Sequence, residues 1–121
     1  MTRHLPALAA FAAAALVSAA ALAHAFLDHA VPAVGATVTA APAEVTLWFT
    51  QPLEASFSGA AVTNAAGGRF DAGQATLDPQ DPKALHVPLK PLGPGTYKVS
   101  WHAVSVDTHR TTGDFSFTVG R

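Results

Sequence analysis

The sequence predicts an all-β domain, a β-sandwich or β-barrel of some seven short strands, and three observations lead to this fold class. Beyond residue 24 the apolar residues recur at every second position, which is the period of a strand with one buried face. Glycine, proline, asparagine and aspartate interrupt these alternating segments at short intervals. No window shows the period near 3.6 that an amphipathic helix would require, so nothing is left to form a helical layer.

Three segments alternate clearly enough to predict half-buried strands, at residues 45–50, 97–104 and 114–119. Weaker candidates are residues 25–30, 59–63, 75–77 and 83–89. The turns between them are "NAAGGRFDAG", "DPQDPK" and "PLGPG", whose residues supply the backbone angles that turns need. Three prolines in "HVPLKPLGP" cannot donate ladder hydrogen bonds, and we therefore expect this piece at a sheet edge.

The first 23 residues have the three zones of a secretory signal peptide. Arg3 and His4 form the charged end, residues 5–22 are almost entirely apolar, and Ala21-Leu22-Ala23 has the small-x-small pattern of a signal-peptidase site. The alternative is an uncleaved membrane anchor, because the apolar run is close to the shortest that spans a bilayer. We expect cleavage after Ala23, export to the periplasm, and a mature domain over residues 24–121.

The mature chain is small, slightly acidic and free of cysteine. Removing 23 of the 121 residues leaves 98, which suits one domain, and the loss of Arg3 leaves six basic and eight acidic residues for a net charge of −2. That balance argues against a nucleic-acid partner or an anionic membrane surface, both of which need a basic cluster. Without cysteine the domain must be held by its core, and without a second apolar run we expect no membrane span in the mature chain.

Cleavage would make His24 the N-terminal residue, and an N-terminal histidine carries two nitrogen donors. Its free amine and its Nδ1 can close a six-membered chelate ring around one metal ion. An ordinary α-amine has a pKa of about 8, so the ion must displace a proton, which a strong Lewis acid does easily. Cu(II) binds nitrogen and oxygen ligands most tightly among the divalent first-row ions and prefers a tetragonal plane. His24 would fill two corners of that plane.

The segment "SVDTHRTTG", residues 105–113, offers the remaining donors. Asp107 and His109 are two positions apart, so in an extended chain their side chains would project to the same side and could approach one ion together. D-x-H alone is a weak signal. It gains weight because it follows the strand "YKVSWHAVS" and because His24 is available to pair with it.

The other histidines of the mature chain have less specific interpretations. We expect His86 to be a surface residue or a hydrogen-bonded filler. His102 lies on a predicted strand and faces away from Trp101, towards solvent or towards the surroundings of a nearby site. Either His29 or His102 could also support a metal-ligating imidazole from outside the ligand set, and the sequence does not decide this.

Residues 24–121 resemble the CopC family, the small periplasmic copper-binding proteins of bacterial copper resistance and uptake. The resemblance rests on the N-terminal histidine, "PAVG", "APAEVTLWFTQPL", "FSGAAV" and, above all, "GTYKVSWHAVSVDTHRTTGDFSFTV". It implies a seven-stranded Greek-key β-barrel or sandwich of cupredoxin- or immunoglobulin-like type. It also implies one Cu(II) held by the amine and ring of His24 and by Asp107 and His109.

The resemblance implies a carrier or buffer of copper rather than an enzyme, with a CopD-type inner-membrane copper transport protein as a separate partner. Well-known relatives add a Cu(I) site on a methionine-rich loop, where thioether sulfur suits the soft ion. Here the corresponding region has no methionine, and the single methionine is Met1. The chain therefore resembles the Cu(II)-only branch. Gln51, where relatives often have glutamate, and Arg110, where proline is frequent, receive no role.

Two other functions remain as alternatives. An N-terminal histidine chelate with a second histidine is also the histidine brace of copper monooxygenases, which activate oxygen at an open copper position. The small size and Asp107, an anionic ligand that favours Cu(II) and opposes redox cycling, argue against this enzyme. The other alternative is an immunoglobulin-like adhesion module without metal.

Overall fold

The computed structural model describes residues 24–121, and the predictions about a signal peptide at residues 1–23 lie outside that range. The described chain forms eight strands and one short 3-10 turn at Ala55–Phe57. The strands are β1 (Leu27–Val31), β2 (Thr37–Val38), β3 (Glu44–Phe49), β4 (Gly59–Asn64), β5 (Thr76–Asp78), β6 (Asp81–Pro88), β7 (Gly95–Val104) and β8 (Arg110–Val119). No helix within residues 24–121 is long and apolar enough to cross a membrane.

The strands form two four-stranded sheets, ordered β1-β3-β6-β5 and β2-β8-β7-β4. The predicted β-sandwich is confirmed, and the barrel alternative is not observed, because the two sheets do not close on each other. One strand more than the predicted seven is present. The additional strand, β2, has two residues that pair in parallel with Thr118 and Val119 of β8, and two residues are too few to produce a readable period.

The core lies between the sheets and follows the alternation in the sequence. On β7 every second residue from Tyr97 to Ala103 is buried, and the residues between them face outward. The inward side chains of the two sheets meet in one cluster, which includes Val45, Leu47, Phe49, Val62, Leu85, Val87, Phe115, Phe117 and Val119. Because both sheets use period two, the sequence pattern separates the packed face from the exposed face correctly.

The expectation that the proline-rich piece lies at an edge is wrong for its first part. His86 and Val87 belong to β6, which lies between β3 and β5. Pro88 is tolerated because it is the last residue of β6, and the pairing of β5 along β6 reaches only His86. Beyond that point no donor towards β5 is needed, so the proline breaks no ladder.

One end of the sandwich brings together the first described residues and the connection between β7 and β8. Thr50, just after β3, exchanges hydrogen bonds with Phe26: the Thr50 amide donates to the Phe26 carbonyl at 2.9 Å, and the Phe26 amide donates to Thr50 Oγ1 at 3.0 Å. On the opposite sheet, the Thr111 hydroxyl of β8 donates to the carbonyl of Ala25. The segment before β1 is therefore attached to both sheets.

Candidate functional site

His24 occupies a defined position at this end of the sandwich. Its carbonyl accepts a hydrogen bond from Thr50 Oγ1 at 3.3 Å, and the next residue, Ala25, is fully buried. The contact between Thr111 and the Ala25 carbonyl holds the same segment from the other sheet. These backbone attachments leave the imidazole of His24 free to face the β7–β8 connection.

The β7–β8 connection is a tight hairpin loop. The amide of Ser105 donates to the carbonyl of His109 at 3.0 Å, and the amide of Thr108 donates to the carbonyl of Ser105 at 2.8 Å. Loops of this length commonly combine a turn with one left-handed residue, and Thr108 takes that position with φ of 71°. The chain is therefore not extended here, which was the condition for Asp107 and His109 to project to the same side, and a turn brings the two residues close together instead.

The structure brings two of the predicted ligands into direct contact. The ring centroids of His24 and His109 lie 4.5 Å apart with an angle of 32° between the ring planes. Imidazoles at this separation can each present a nitrogen to one ion. Both His109 and Asp107 are reachable from solvent, with side chains 58% and 40% exposed, so an ion could enter and leave without unfolding of the chain.

Asp107 lies beside His109, and its two carboxylate oxygens have different partners. Its Oδ2 is 3.4 Å from His109 Nδ1, while Oδ1 accepts hydrogen bonds from the Ser105 hydroxyl and, at 3.4 Å, from the His109 amide. Within residues 24–121 no three histidine or carboxylate side chains form a group that could hold a metal ion as they stand. In the uncleaved chain His24 follows Ala23, so its backbone nitrogen is a peptide nitrogen and supplies no further donor.

The surroundings of Asp107 keep it ionised at neutral pH. The hydrogen bond from Ser105 is the main reason that the pKa of Asp107 lies below its ordinary value, and the hydrogen bonds and charge of His109 act in the same direction. Burial acts in the opposite direction and is outweighed. The carboxylate is thus available as an anionic oxygen ligand without the release of a proton.

Three supporting residues were missed by the sequence reasoning. Thr50 and Thr111 hold the backbone next to His24, and Ser105, which is only 1% exposed, holds the carboxylate of Asp107. Only Ser105 had a local signal, because a serine two positions before an aspartate can bond to it within a turn. The threonines act on a partner 25 or more positions away, which no local pattern reveals.

His86 lies far from this end and is fully used in a polar cluster on the outer face of the other sheet. Its Nε2 is 2.9 Å from Asp78, and its Nδ1 is 3.1 Å from the Thr46 hydroxyl and 3.4 Å from Glu44. The hydrogen bond from His86 is the main reason that the pKa of Asp78 is lowered. Of the two predicted roles, surface residue or hydrogen-bonded filler, the structure shows the second.

The structure places neither His29 nor His102 in contact with the His24–His109 pair. The ring of His29 stacks on Trp48, with centroids 4.4 Å apart, and its Nδ1 is 2.6 Å from Asp28. His102 faces outward from β7, as predicted, and its pKa is lowered by partial burial and by the charge of Arg110. Its ring lies against Gly59, where a Cβ would come within 3.2 Å of it.

Comparisons with known proteins agree with this architecture. The family model described as "CopC domain" matches residues 27–120. Protein YobA of Escherichia coli K12 is 47% identical over 105 residues, covering 86% of this chain and 85% of its own. The crystal structure of CopC from Methylosinus trichosporium OB3b superposes with a TM-score of 0.75 at 29% identity, covering 80% of this chain and 94% of its own. PcoC of E. coli, described as a methionine-rich copper resistance protein, reaches 0.71 at 38% identity, covering 80% and 99%.

Proposed function

We propose that this chain, which belongs to the CopC family, is a periplasmic Cu(II)-binding protein that acts as a carrier or buffer in copper homeostasis and resistance. The observation that carries the proposal is the contact between the rings of His24 and His109, 4.5 Å apart at an accessible end of the sandwich. A histidine pair is the nitrogen half of a site that Cu(II) favours.

The proposed site is completed by proteolysis. Cleavage after Ala23 would turn the peptide nitrogen of His24 into a free amine, which chelates together with Nδ1 of the same residue. His109 would supply the third nitrogen. Asp107 would supply an oxygen, and the oxygen that accepts from Ser105 would have to give up that hydrogen bond to become the ligand. One Cu(II) would then have three nitrogens and one oxygen around it.

The donor set favours Cu(II) over Cu(I). Residues 24–121 contain no methionine and no cysteine, so no thioether or thiolate is available to the softer ion. The carboxylate of Asp107 adds a negative charge that stabilises the higher oxidation state. We therefore propose binding and release without redox cycling, with the ion as cargo and a separate CopD-type inner-membrane protein as the partner in its traffic.

The direct test is Cu(II) titration of the protein that begins at His24, with electron spin resonance to count the coupled nitrogens. One equivalent should bind with three nitrogens. His24→Ala should reduce the affinity most and His109→Ala nearly as much, because each removes a nitrogen, whereas Asp107→Ala should cost less because water can replace its oxygen.

His86→Ala is the matched control, since that ring is engaged by Asp78 and lies on the other sheet. Wild-type affinity in His109→Ala, together with a loss in His29→Ala or His102→Ala, would show that the second half of the site lies elsewhere. An oxygen electrode with ascorbate tests the enzyme alternative on the copper-loaded protein, for which we expect no sustained oxygen consumption.

A further inference from the structure

A pocket of about 610 Å³ opens on the outer face of the β2-β8-β7-β4 sheet, beside the hairpin loop that carries the proposed ligands. Its floor is formed by His102 and Val104 of β7 and by Arg110, the first residue of β8. One wall is the 3-10 turn Ala55–Phe57, and Glu54 just before it also faces the pocket. Pockets of this volume are large enough to bury the body of a ligand or of a partner's side chain.

The rim of this pocket carries two large apolar side chains that are held open to solvent. Phe57 is 62% exposed and Val106 is 57% exposed, and both line the pocket. Phe57 is the last residue of the 3-10 turn, and the Val106 amide donates a hydrogen bond to the Pro52 carbonyl at 3.2 Å. Covering such side chains releases free energy in proportion to the apolar area removed from water.

Two opposite charges flank the apolar surface, and neither is neutralised within residues 24–121. Glu54 and Arg110 make no ion pair with each other or with any other described residue. Elsewhere the chain pairs such groups closely, as in the contact of Arg69 Nη2 with Asp71 Oδ2 at 2.7 Å. The Glu54 amide donates to the Val104 carbonyl on one edge of β7, and Arg110 pairs with Val104 on the other edge. The pocket is therefore complementary to an apolar group with a cation on the side of Glu54 and a carboxylate on the side of Arg110.

The pocket also touches the loop of the proposed copper site. Thr108 lies between Asp107 and His109 in the chain and lines the pocket, and Val106 directly precedes Asp107. An occupant that contacts both residues would come to rest against the backbone that holds two of the proposed ligands. An ion can pass between two proteins only when the donor groups of the second protein come close to the ligands of the first.

We propose that this pocket docks a protein that exchanges copper with the chain, by accepting one apolar side chain of that protein between an acidic and a basic neighbour. The inference rests on the proposed function, since it takes the nearby loop to hold copper. A protein partner is favoured over a free small molecule because Phe57 and Val106 at the rim are more than half exposed, so the occupant has apolar surface to cover at the rim as well as inside the pocket.

The test uses the protein that begins at His24, labelled with ¹⁵N, and the blocked tripeptide acetyl-Asp-Phe-Lys-amide as probe. Amide shifts should be confined to residues 54–57, 102–106 and 108–110, at probe concentrations in the millimolar range expected for so small a contact. Phe57→Ser and Glu54→Lys should each weaken binding about tenfold. Lys98→Glu is the matched control, because Lys98 lines a different pocket on the same outer face and should leave binding unchanged.

Three results would overturn the proposal. One is the absence of localised shifts up to roughly 10 mM probe, which is above the range expected for a contact of this size. Another is equal binding of acetyl-Asp-Ser-Lys-amide, which would show that no apolar side chain is accommodated. The third is equally tight binding of free phenylalanine, which would identify a small-molecule site instead of a docking site for a protein.

Parallel Cu(II) titrations separate this proposal from the proposed function. Phe57→Ser should keep wild-type Cu(II) affinity while losing the probe, since Phe57 takes no part in the proposed ligand set. If the wild-type protein binds Cu(II) but not the probe, the docking proposal alone is wrong. If it binds the probe at the pocket but no Cu(II), the proposed copper function is wrong, and the claim that the docked protein exchanges copper is wrong with it.

Discussion

Retaining Ala21–Ala23 in front of His24 should weaken Cu(II) binding by more than about 100-fold. The three residues convert the amine of His24 into a peptide nitrogen and remove one of the four proposed donors. The rest of the proposed site should survive, because Thr50 and Thr111 hold the segment through the carbonyls of His24 and Ala25. The His24 ring should therefore keep its position near His109, and the loss can be assigned to the amine.

The size of this effect can be bounded from below. Removal of a group that merely orients a metal ligand typically costs 10–100-fold in affinity. Loss of a direct donor, and of the chelate ring that it closes, should exceed the upper end of that range, which corresponds to about 2.8 kcal/mol of binding free energy.

The assay is competition for Cu(II) between each form of the protein and a chelator of known affinity, followed by spin resonance of the loaded forms. The coupled nitrogens should fall from three to two, and thermal unfolding without copper should be unchanged. His24→Ala in the longer form is the control that shows whether the remaining copper still uses this ring. Affinities within threefold of each other in the two forms would refute the amine as a ligand.

Three further predictions concern selectivity and stability. Cu(I) should be retained far more weakly than Cu(II) in competition with a Cu(I)-specific chelator, and tight retention would reveal a soft site that the sequence does not show. Asp71→Asn should lower the free energy of unfolding at pH 7 by about 2 kcal/mol, because the hydrogen bond from Arg69 lowers the pKa of this partly buried carboxylate to about 2. A carboxylate whose pKa is lowered on folding stabilises the folded state at pH values above its unfolded pKa of about 3.9. The difference in unfolding free energy between wild type and variant, measured by urea titration, should therefore shrink as the pH falls towards 2. A difference that stays constant with pH would contradict this cause. Gly113→Ala should lower the free energy of unfolding by about 1–3 kcal/mol, because the new Cβ would lie 2.5 Å from Trp101 Cζ2. Gly93→Ala is the control, since its Cβ would have nothing within 4 Å, and thermal unfolding should show little change.

The strands could be predicted where one face of the sheet is buried. On β7 the inward residues Tyr97, Val99, Trp101 and Ala103 alternate with outward ones as far as Val104, and the periodicity identifies both the strand and its buried face. β2 was missed because its two residues owe their pairing to β8 and carry no period of their own. The interior position of β6 was missed for a related reason: whether a strand is at an edge depends on where other strands end.

The same distinction between local and long-range causes applies to the predicted site residues. The chemistry of His24 is local to one residue, so its candidacy could be argued from the signal-like segment before it. The geometry of Asp107 depends on a turn, and the assumption of an extended chain misjudged how that side chain meets His109.

The approach of His24 to His109 depends on residues far apart in the sequence, because the segment of His24 is held by Thr50, just after β3, and by Thr111 in β8 of the opposite sheet. Neither threonine has a side chain suited to copper, and neither lies in a motif. They are expected to affect copper indirectly, through the position of the His24 ring. Thr111→Val should therefore weaken Cu(II) binding while leaving the number of coupled nitrogens at three. A site assembled in this way can be recognised in the sequence by its ligands, but the residues that bring the ligands together become visible only in the fold.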